Sequence, residues 1–236
     1  MGLIAKPLGL LLSLIYGIVN NYGVAIVIFT LIVKACLYPA YLKQTKSTIA
    51  MSAVQSQIQD IQNRYKGDRD TLNQKMNELY ERENYNPAGG CLPMAIQMII
   101  IFGLFSLLRN PLAYMSNSND MIIAVHSSFL WIQDLSQPDL WILPIAAGIL
   151  TYVSCAQSQA QSITNPDNPT SEIMLKTMKY VFPVTIIWMG RAFPAGLTIY
   201  WFLNMGTQIL FNIRFNQMRQ KAALEQRMKK AAAGKR

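Results

Sequence analysis

Residues 24–42 read Val-Ala-Ile-Val-Ile-Phe-Thr-Leu-Ile-Val-Lys-Ala-Cys-Leu-Tyr-Pro-Ala-Tyr-Leu. A helix needs roughly 20 mostly apolar residues to cross about 30 Å of hydrocarbon at about 1.5 Å per residue. This run has that length and one charge, its apolar sequence broken by Lys34 and Pro39. Composition points the same way. Of the 236 residues 52% are hydrophobic and 14% are charged, against roughly 25% charged in a soluble domain. So little charge cannot cover a soluble surface, and disorder, collagen and a disulfide scaffold are excluded as well. The chain is expected to be an all-α polytopic membrane protein.

Working outward, four further segments are expected to span. Residues 91–108 contain Gln97 and Ser106 as their polar positions, and 140–156 form a third apolar run. Residues 173–189 are apolar only from Tyr180 onward and reach full length if Lys176 and Lys179 snorkel to the interface. Residues 197–213 follow closely, so the turn Gly190-Arg191-Ala192-Phe193-Pro194-Ala195-Gly196 predicts a tight helical hairpin of spans four and five. The apolar stretch 7–19 is too short to span. A signal-peptide core is one reading, but no small-x-small cleavage site follows; an interfacial helix lying flat and leading into span one fits better. This divides the chain into an interfacial helix (1–22), a five-helix core (23–213) and a basic tail (214–236).

Orientation follows from the basic residues. Of 21 Lys and Arg, seven lie in 43–82 and eight in 214–236. With Lys176 and Lys179, one side carries seventeen; Lys6, Arg109 and Arg191 fall on the other. The N-terminus is therefore expected outside and the C-terminus in the cytoplasm. The outer loop, 110–139, has few charges and with Trp131 and Trp141 is expected to rest in the headgroups. The inner loop 158–172, with Asn165-Pro166-Asp167-Asn168-Pro169, carries turn chemistry.

Residues 44–86 are polar but periodic. Val54, Ile58, Ile61 and Tyr65 recur at helical spacing, Lys66-Gly67-Asp68-Arg69 breaks the pattern, and Leu72, Met76 and Leu79 resume it. Two apolar stripes predict an antiparallel helical hairpin outside the membrane, either a solvated coiled pair or a docking arm. The tail has eight basic residues and one acid, Glu225, for a net charge of +7. Such a run acts as an orientation signal, lies on anionic lipid, or binds a polyanion such as ribosomal RNA.

Lys34 stands ten residues into span one, about 15 Å from its outer end, where an insertion cost of about 2.5–3.5 kcal/mol is expected. No acidic residue occurs in any span to offset it. Lys34 is therefore expected to face water in a hydrated cavity, with Thr30 and Tyr38 on the same helix face. Span five presents Trp201, Asn204 and Gln208 at i, i+3 and i+7, with Tyr200 adjoining, and span two adds Gln97. Taken singly these residues read as interhelical hydrogen bonds; taken with a central lysine they read as a shared polar cavity.

Catalysis has little support. There is no Ser/His/Asp set, no pair of intramembrane carboxylates, no phosphate-cradling glycine loop and no H-E-x-x-H. Cys36, Cys91 and Cys155 are dispersed and His126 is the lone histidine, so neither a metal nor another cofactor is expected. The chain is not expected to be an enzyme.

Several motifs occur in a specific order: Lys34-Ala35-Cys36-Leu37-Tyr38-Pro39, Lys43-Gln44, Asn86-Pro87-Ala88-Gly89-Gly90-Cys91-Leu92-Pro93, Gln97, Phe193-Pro194-Ala195-Gly196-Leu197 and Tyr200-Trp201. From about Pro7 to Phe215 the chain resembles the YidC/Oxa/Alb family of membrane protein insertases. The resemblance implies a five-helix core in the bacterial plasma membrane, with a hydrophilic groove open to cytoplasm and lipid but closed outside. A positive residue there attracts the acidic part of a nascent membrane protein, whose apolar segment slides along spans three and five into lipid. Matched by position, Lys34 takes the place of that charge, Gln97 and Trp201 line the groove, and Thr30 and Tyr200 lie near the substrate path. The hairpin corresponds to a mobile receiving arm and the tail to a ribosome contact, and a Sec translocon and the signal recognition particle pathway are further partners the resemblance allows.

Two features depart from the pattern. The family commonly has arginine where Lys34 stands, and arginine holds its charge where a buried lysine can lose it. The large extracytoplasmic domain of Gram-negative members and a lipoprotein cleavage site are both absent, as in a compact Gram-positive-type member. Two rival functions remain: a small transporter or channel using Lys34 as an anion-binding or coupling charge, and a chaperone that holds helices without translocating them.

Overall fold

The apolar run 24–42 is the first half of a much longer helix. In the computed structural model, which describes residues 2–83, 92–109, 123–159, 173 and 175–233, helix α1 (Gly2–Val19) is followed by α2 (Tyr22–Arg64). Between them Asn20 takes a left-handed φ of 53°, a conformation asparagine tolerates better than most residues. Asn21 then caps α2, its Oδ1 accepting from the Val24 amide at 3.0 Å. Neither Lys34 nor Pro39 breaks α2. Pro39 withholds one amide from the ladder, but the helix continues for 43 residues, about 65 Å at 1.5 Å per residue. That is twice the hydrocarbon thickness, so the far half of α2 must leave the membrane and becomes the first limb of the polar hairpin.

The second limb is α3 (Arg69–Arg82). Asp68 caps it through the Thr71 amide at 3.1 Å and hydroxyl at 2.6 Å. Ile58 and Leu79 are buried against each other, with Ile61, Met76 and Tyr80 packed around them, and Arg82 donates across to Gln57. The two predicted stripes therefore meet, although the side chain of Val54 lies outside the described residues.

The remaining helices are α4 (Leu92–Arg109), α5 (Ile142–Gln159), α6 (Phe182–Gly190) and α7 (Ala195–Ala233). A π-helical turn, Thr177–Val181, precedes α6, where Pro183 cannot donate back to the carbonyl of Lys179. Helix α7 runs from the fifth apolar segment into the basic tail without a break. The described residues contain no sheet, only a bridge between Phe129 and Ile132. The motif 86–91 and the turn 165–169 lie outside the described residues.

Helix α5 packs against both α6 and α7, α2 packs on α7, and α1 packs on α4 and α2. The hairpin expected of spans four and five is thus a splayed pair: α6 and α7 share a four-residue turn, but both lean on α5. Small residues permit the close approaches, which matter in lipid because apolar burial there supplies little drive. Any Cβ on Gly148 would fall 2.3 Å from Ile187, and Gly190 sits against Pro144. By length and apolarity, one described helical stretch, Tyr22–Ser47, suffices to cross a membrane, and Lys6–Val19 and Gln97–Leu107 are shorter apolar stretches.

At the other end of the bundle, the described part of the outer loop does more than lie on a surface. Val125, Ile132 and Leu135 are buried in the same core as Leu12, Phe29, Leu107 and Leu197. The carbonyls of Gln137 and Leu135 accept from the Ala195 and Gly196 amides at 2.9 and 3.1 Å, satisfying two donors that the start of α7 cannot. The loop also brings together a Ser/His/Asp set that spacing does not reveal. Asp134 Oδ2 and Ser136 Oγ lie 3.0 and 2.9 Å from His126. Both meet the same ring nitrogen, Nδ1, so the hydroxyl is not placed across the imidazole from the carboxylate as a nucleophile relay requires.

Two predictions follow from this end of the fold. A Cβ on Gly23 would lie 2.2 Å from the Phe129 ring, so Gly23→Ala is expected to destabilise by about 1–3 kcal/mol. Gly17, with open space around it, is expected to gain about 0.5–1 kcal/mol as alanine; thermal unfolding in detergent distinguishes them. Burial alone would raise Asp134 and Asp139, but hydrogen bonds from His126 and Ser136 to the first, and from Trp131 and the α5 amides to the second, hold both below the usual carboxylate range. A folded value below the unfolded one stabilises fully above about pH 4 and is lost as pH falls through the lowered values. Tryptophan emission should therefore report loosening of the loop only below about pH 4, and a transition between pH 6 and 8 would contradict this assignment.

Candidate functional site

Helix α7 turns Tyr200, Asn204, Gln208 and Asn212, each four residues apart, toward its neighbours as one polar ladder. Opposite stands Lys34 of α2, 2% exposed. Its Nζ donates to Gln208 Oε1 at 3.1 Å and lies over the rings of Tyr41 and Phe211, 5.0 and 5.9 Å from their centroids. To the expected water the structure adds protein partners for this side chain. A hydrogen bond to a charged group contributes about 1.5–3 kcal/mol and a desolvated cation–π contact about 2 kcal/mol, together enough to offset the insertion cost. The amine is accommodated by neutral groups, and no carboxylate among the described residues pairs with it.

Two branches leave this centre. Gln208 donates to Asn212 Oδ1 at 3.2 Å, and Asn212 donates to the Ser154 carbonyl at 3.4 Å and the Ser158 hydroxyl at 3.3 Å, reaching α5. Tyr41 donates its hydroxyl to Gln97 Oε1 at 3.4 Å, and Gln97 donates to the Tyr200 hydroxyl at 2.9 Å, tying α2 to α4 and α7. Within the ladder Asn204 is 1% exposed, and neither its Oδ1 nor its Nδ2 finds a partner. A buried amide left unmade costs about 1–3 kcal/mol, so this position calls for an acceptor and donor that the described residues do not supply.

Of the residues expected at the site, Lys34 and Gln208 form one hydrogen-bonded set and Gln97 and Tyr200 another, the two joined where Lys34 lies over the Tyr41 ring, and Asn204 lies buried on the same ladder. Thr30 does not join it: its hydroxyl is turned back to the Ile26 carbonyl at 2.7 Å. Tyr38 packs its ring on Phe211 and Phe215 and does not extend the polar face. Trp201 is not bonded into this cluster. Its Nε1 donates to Thr151 Oγ1 at 3.1 Å, and its ring borders Phe182 at 6.1 Å. It lines an apolar groove of about 320 Å³ with Met98, Phe102 and Phe105 of α4 and Phe182 and Ile186 of α6. The third span contributes nothing to this groove, which lies among spans two, four and five.

Sequence reading missed Tyr41, Phe211 and Asn212. Tyr41 is seven residues from Lys34 and Asn212 four from Gln208, so helical periodicity marks them as same-face neighbours; nothing in the sequence marks a phenylalanine as a lysine's partner. A larger polar cleft of about 430 Å³ lies far along the hairpin, between Asp60, Arg64, Tyr65, Lys75 and Glu78, remote from Lys34. Gln208→Leu removes the hydrogen bond from Lys34 while retaining volume, and is expected to destabilise by about 1.5–3 kcal/mol, read as a lowered melting temperature. A change under about 0.5 kcal/mol would mean that the aromatic rings suffice.

The family described as 60Kd inner membrane protein matches residues 14–223. The membrane protein insertase YidC of Fusobacterium nucleatum is 36% identical over 200 residues, covering 84% of this chain and 88% of that protein. The membrane protein insertase YidC of Haemophilus influenzae strain PittEE is 37% identical over 203 residues, 85% of this chain. The chain spans only 34% of that relative's length. Among solved structures, an active YidC insertase with its first transmembrane domain resolved superposes with a TM-score of 0.56 at 28% identity, over 84% of this chain and 43% of that one.

Proposed function

The chain belongs to the 60Kd inner membrane protein family, and on that premise we propose that it is a membrane protein insertase and chaperone of the bacterial plasma membrane. Five spans cross the bilayer, with the N-terminus outside and the hairpin and basic tail in the cytoplasm. The observation that carries this reading is Lys34: a buried cation held by Gln208, Tyr41 and Phe211 with no carboxylate among the described residues to cancel it. At an effective dielectric near 20, an acidic client residue brought to about 4 Å gains about 4 kcal/mol. The unpartnered amide of Asn204 offers a donor and an acceptor to the same polar segment, or to water that accompanies it.

The polar cluster and the apolar groove divide the work. The ladder of Tyr200, Asn204, Gln208 and Asn212 with Lys34 and Gln97 receives the hydrophilic part of a nascent membrane protein. The apolar groove of Phe102, Phe105, Ile186 and Trp201 guides its hydrophobic segment toward lipid. No nucleotide is hydrolysed. Partition at about 0.8 kcal/mol per buried CH₂ supplies the drive. The hairpin receives clients, and the basic end of α7 contacts the ribosome, with a Sec translocon and the signal recognition particle pathway delivering part of the traffic. A transporter coupled through Lys34 would need an exchangeable carboxylate partner, and the partners found are an amide and two aromatic rings.

The test uses the purified chain in liposomes with a single-span client carrying an acidic N-terminal tail and no other translocon. Protease protection of the tail is expected for the parent, reduced for Lys34→Ala and lower still for Lys34→Glu, which repels the tail. Equal protection by all three would remove electrostatic capture, and absence of protection by the parent would remove the insertase reading.

A further inference from the structure

The end of the bundle away from the hairpin carries a second assembled cluster, outside the Lys34 network. Asp139 precedes α5 and ties three elements together. Its Oδ1 accepts from the Trp141 amide at 3.0 Å, and its Oδ2 accepts from the Leu143 amide at 3.1 Å and from the Trp131 indole at 3.0 Å. Both tryptophans are thereby fixed beside the start of α5. Over the Trp141 ring lies the guanidinium of Arg191, 4.3 Å from the centroid, brought in by the turn between α6 and α7. Stacking of this kind occupies the flat face of the guanidinium and leaves its edge N–H groups free. Arg191 is exposed, and among the described residues no hydrogen bond or ion pair engages it.

The surroundings of this free cation are apolar. Leu130, Leu140, Trp141 and Ile142 are all more than half exposed, and Trp131 is 52% exposed. Leu130 and Trp131 form the tip of the turn closed by Phe129 and Ile132, which exchange amide hydrogen bonds at 2.9 and 3.0 Å. Leu130 stands at a φ of 53°, a left-handed conformation that a bulky side chain rarely adopts. A leucine held there and 75% exposed gains nothing from the protein core; an apolar medium outside the protein would reward it. Aromatic rings with polar edges, a fork-shaped cation and protruding aliphatic groups together have the layered polarity of a membrane interface.

We propose that this corner is a phospholipid-binding site: the free edge of Arg191 takes the lipid phosphate, Trp131 and Trp141 lie at headgroup depth, and Leu130 and Ile142 enter the acyl layer. The site would pin the outer-loop end of the bundle at a fixed depth. It rests on the reading that this end meets the bilayer, but not on insertase activity.

The test uses the full chain in mild detergent, titrated with short-chain phosphatidylglycerol and followed by tryptophan emission and by lipid retained in native mass spectrometry. Diacylglycerol and inorganic phosphate are the separate arms. The phospholipid should bind, with either half alone at least about tenfold weaker; Arg191→Gln should weaken it about tenfold and Arg191→Lys less, because lysine keeps the charge but not the fork. Leu130→Asn suits the left-handed backbone and so keeps the fold; it should also reduce retention. Undiminished binding in Arg191→Gln overturns the site, as does inorganic phosphate competing at the same concentration as the phospholipid. The protease-protection assay on the same preparations separates the two readings. Lys34→Ala should keep lipid retention while losing protection, and Arg191→Gln the reverse. Lipid retention that depends on Arg191 in a parent that protects no client would leave this site standing without the insertase.

Discussion

A lysine ammonium in the middle of a helix bundle has to be held by something, and here it is held by neutral groups. That constraint organises the centre of the molecule. Gln208 and Phe211 must lie on the face of α7 that meets α2, which fixes the rotation of α7. Tyr41 must bring its ring under Lys34, which sends its hydroxyl to Gln97 and fixes α4. A carboxylate in the same place would neutralise the charge and remove its use. Amide and aromatic partners lower the cost of burial and leave the field intact.

Fixing α7 in that rotation gives it two working regions. The polar ladder meets α2 and α5, and the stretch nearer the start of α7, with Leu197 and Trp201, borders the apolar groove it shares with α4 and α6. The groove exists because α6 and α7 splay, each packed on α5 through close contacts at Gly148 and Gly190. The two ends of the bundle differ just as sharply. Helices α2 and α7, at 43 and 39 residues, run past any hydrocarbon layer at one end. The other end is closed by the loop whose carbonyls cap α7 and whose aromatic and aliphatic tip faces outward.

Much of this was legible in the sequence. Apolar runs separated by polar turns determine an all-helical membrane chain, and the uneven distribution of lysine and arginine determines its sidedness as an expectation. Two stripes at helical spacing, Ile58 with Ile61 and Met76 with Leu79, foretell the hairpin, because a helix of that polarity can bury so narrow a stripe only against another. The oddity of Lys34 is visible from one residue in one run. The continuity of α2 through Pro39 was not visible, since one missing amide weakens a helix without ending it when packing on both sides holds the backbone.

Tertiary structure alone decided which neutral groups face Lys34, that Trp201 turns from it toward Thr151 and the apolar groove, and that Thr30 keeps its hydroxyl for its own helix. It also decided that His126, Asp134 and Ser136 meet, and that Arg191 comes to rest on Trp141 from fifty residues away. The reason is geometric. Periodicity assigns each side chain to a face of its own helix, but the angle between that face and its neighbours depends on packing at small residues such as Gly148 and Gly190, far along the chain. Composition and spacing therefore determine that a buried charge and a basic exterior exist; only the rotation of each helix against the next determines what they touch.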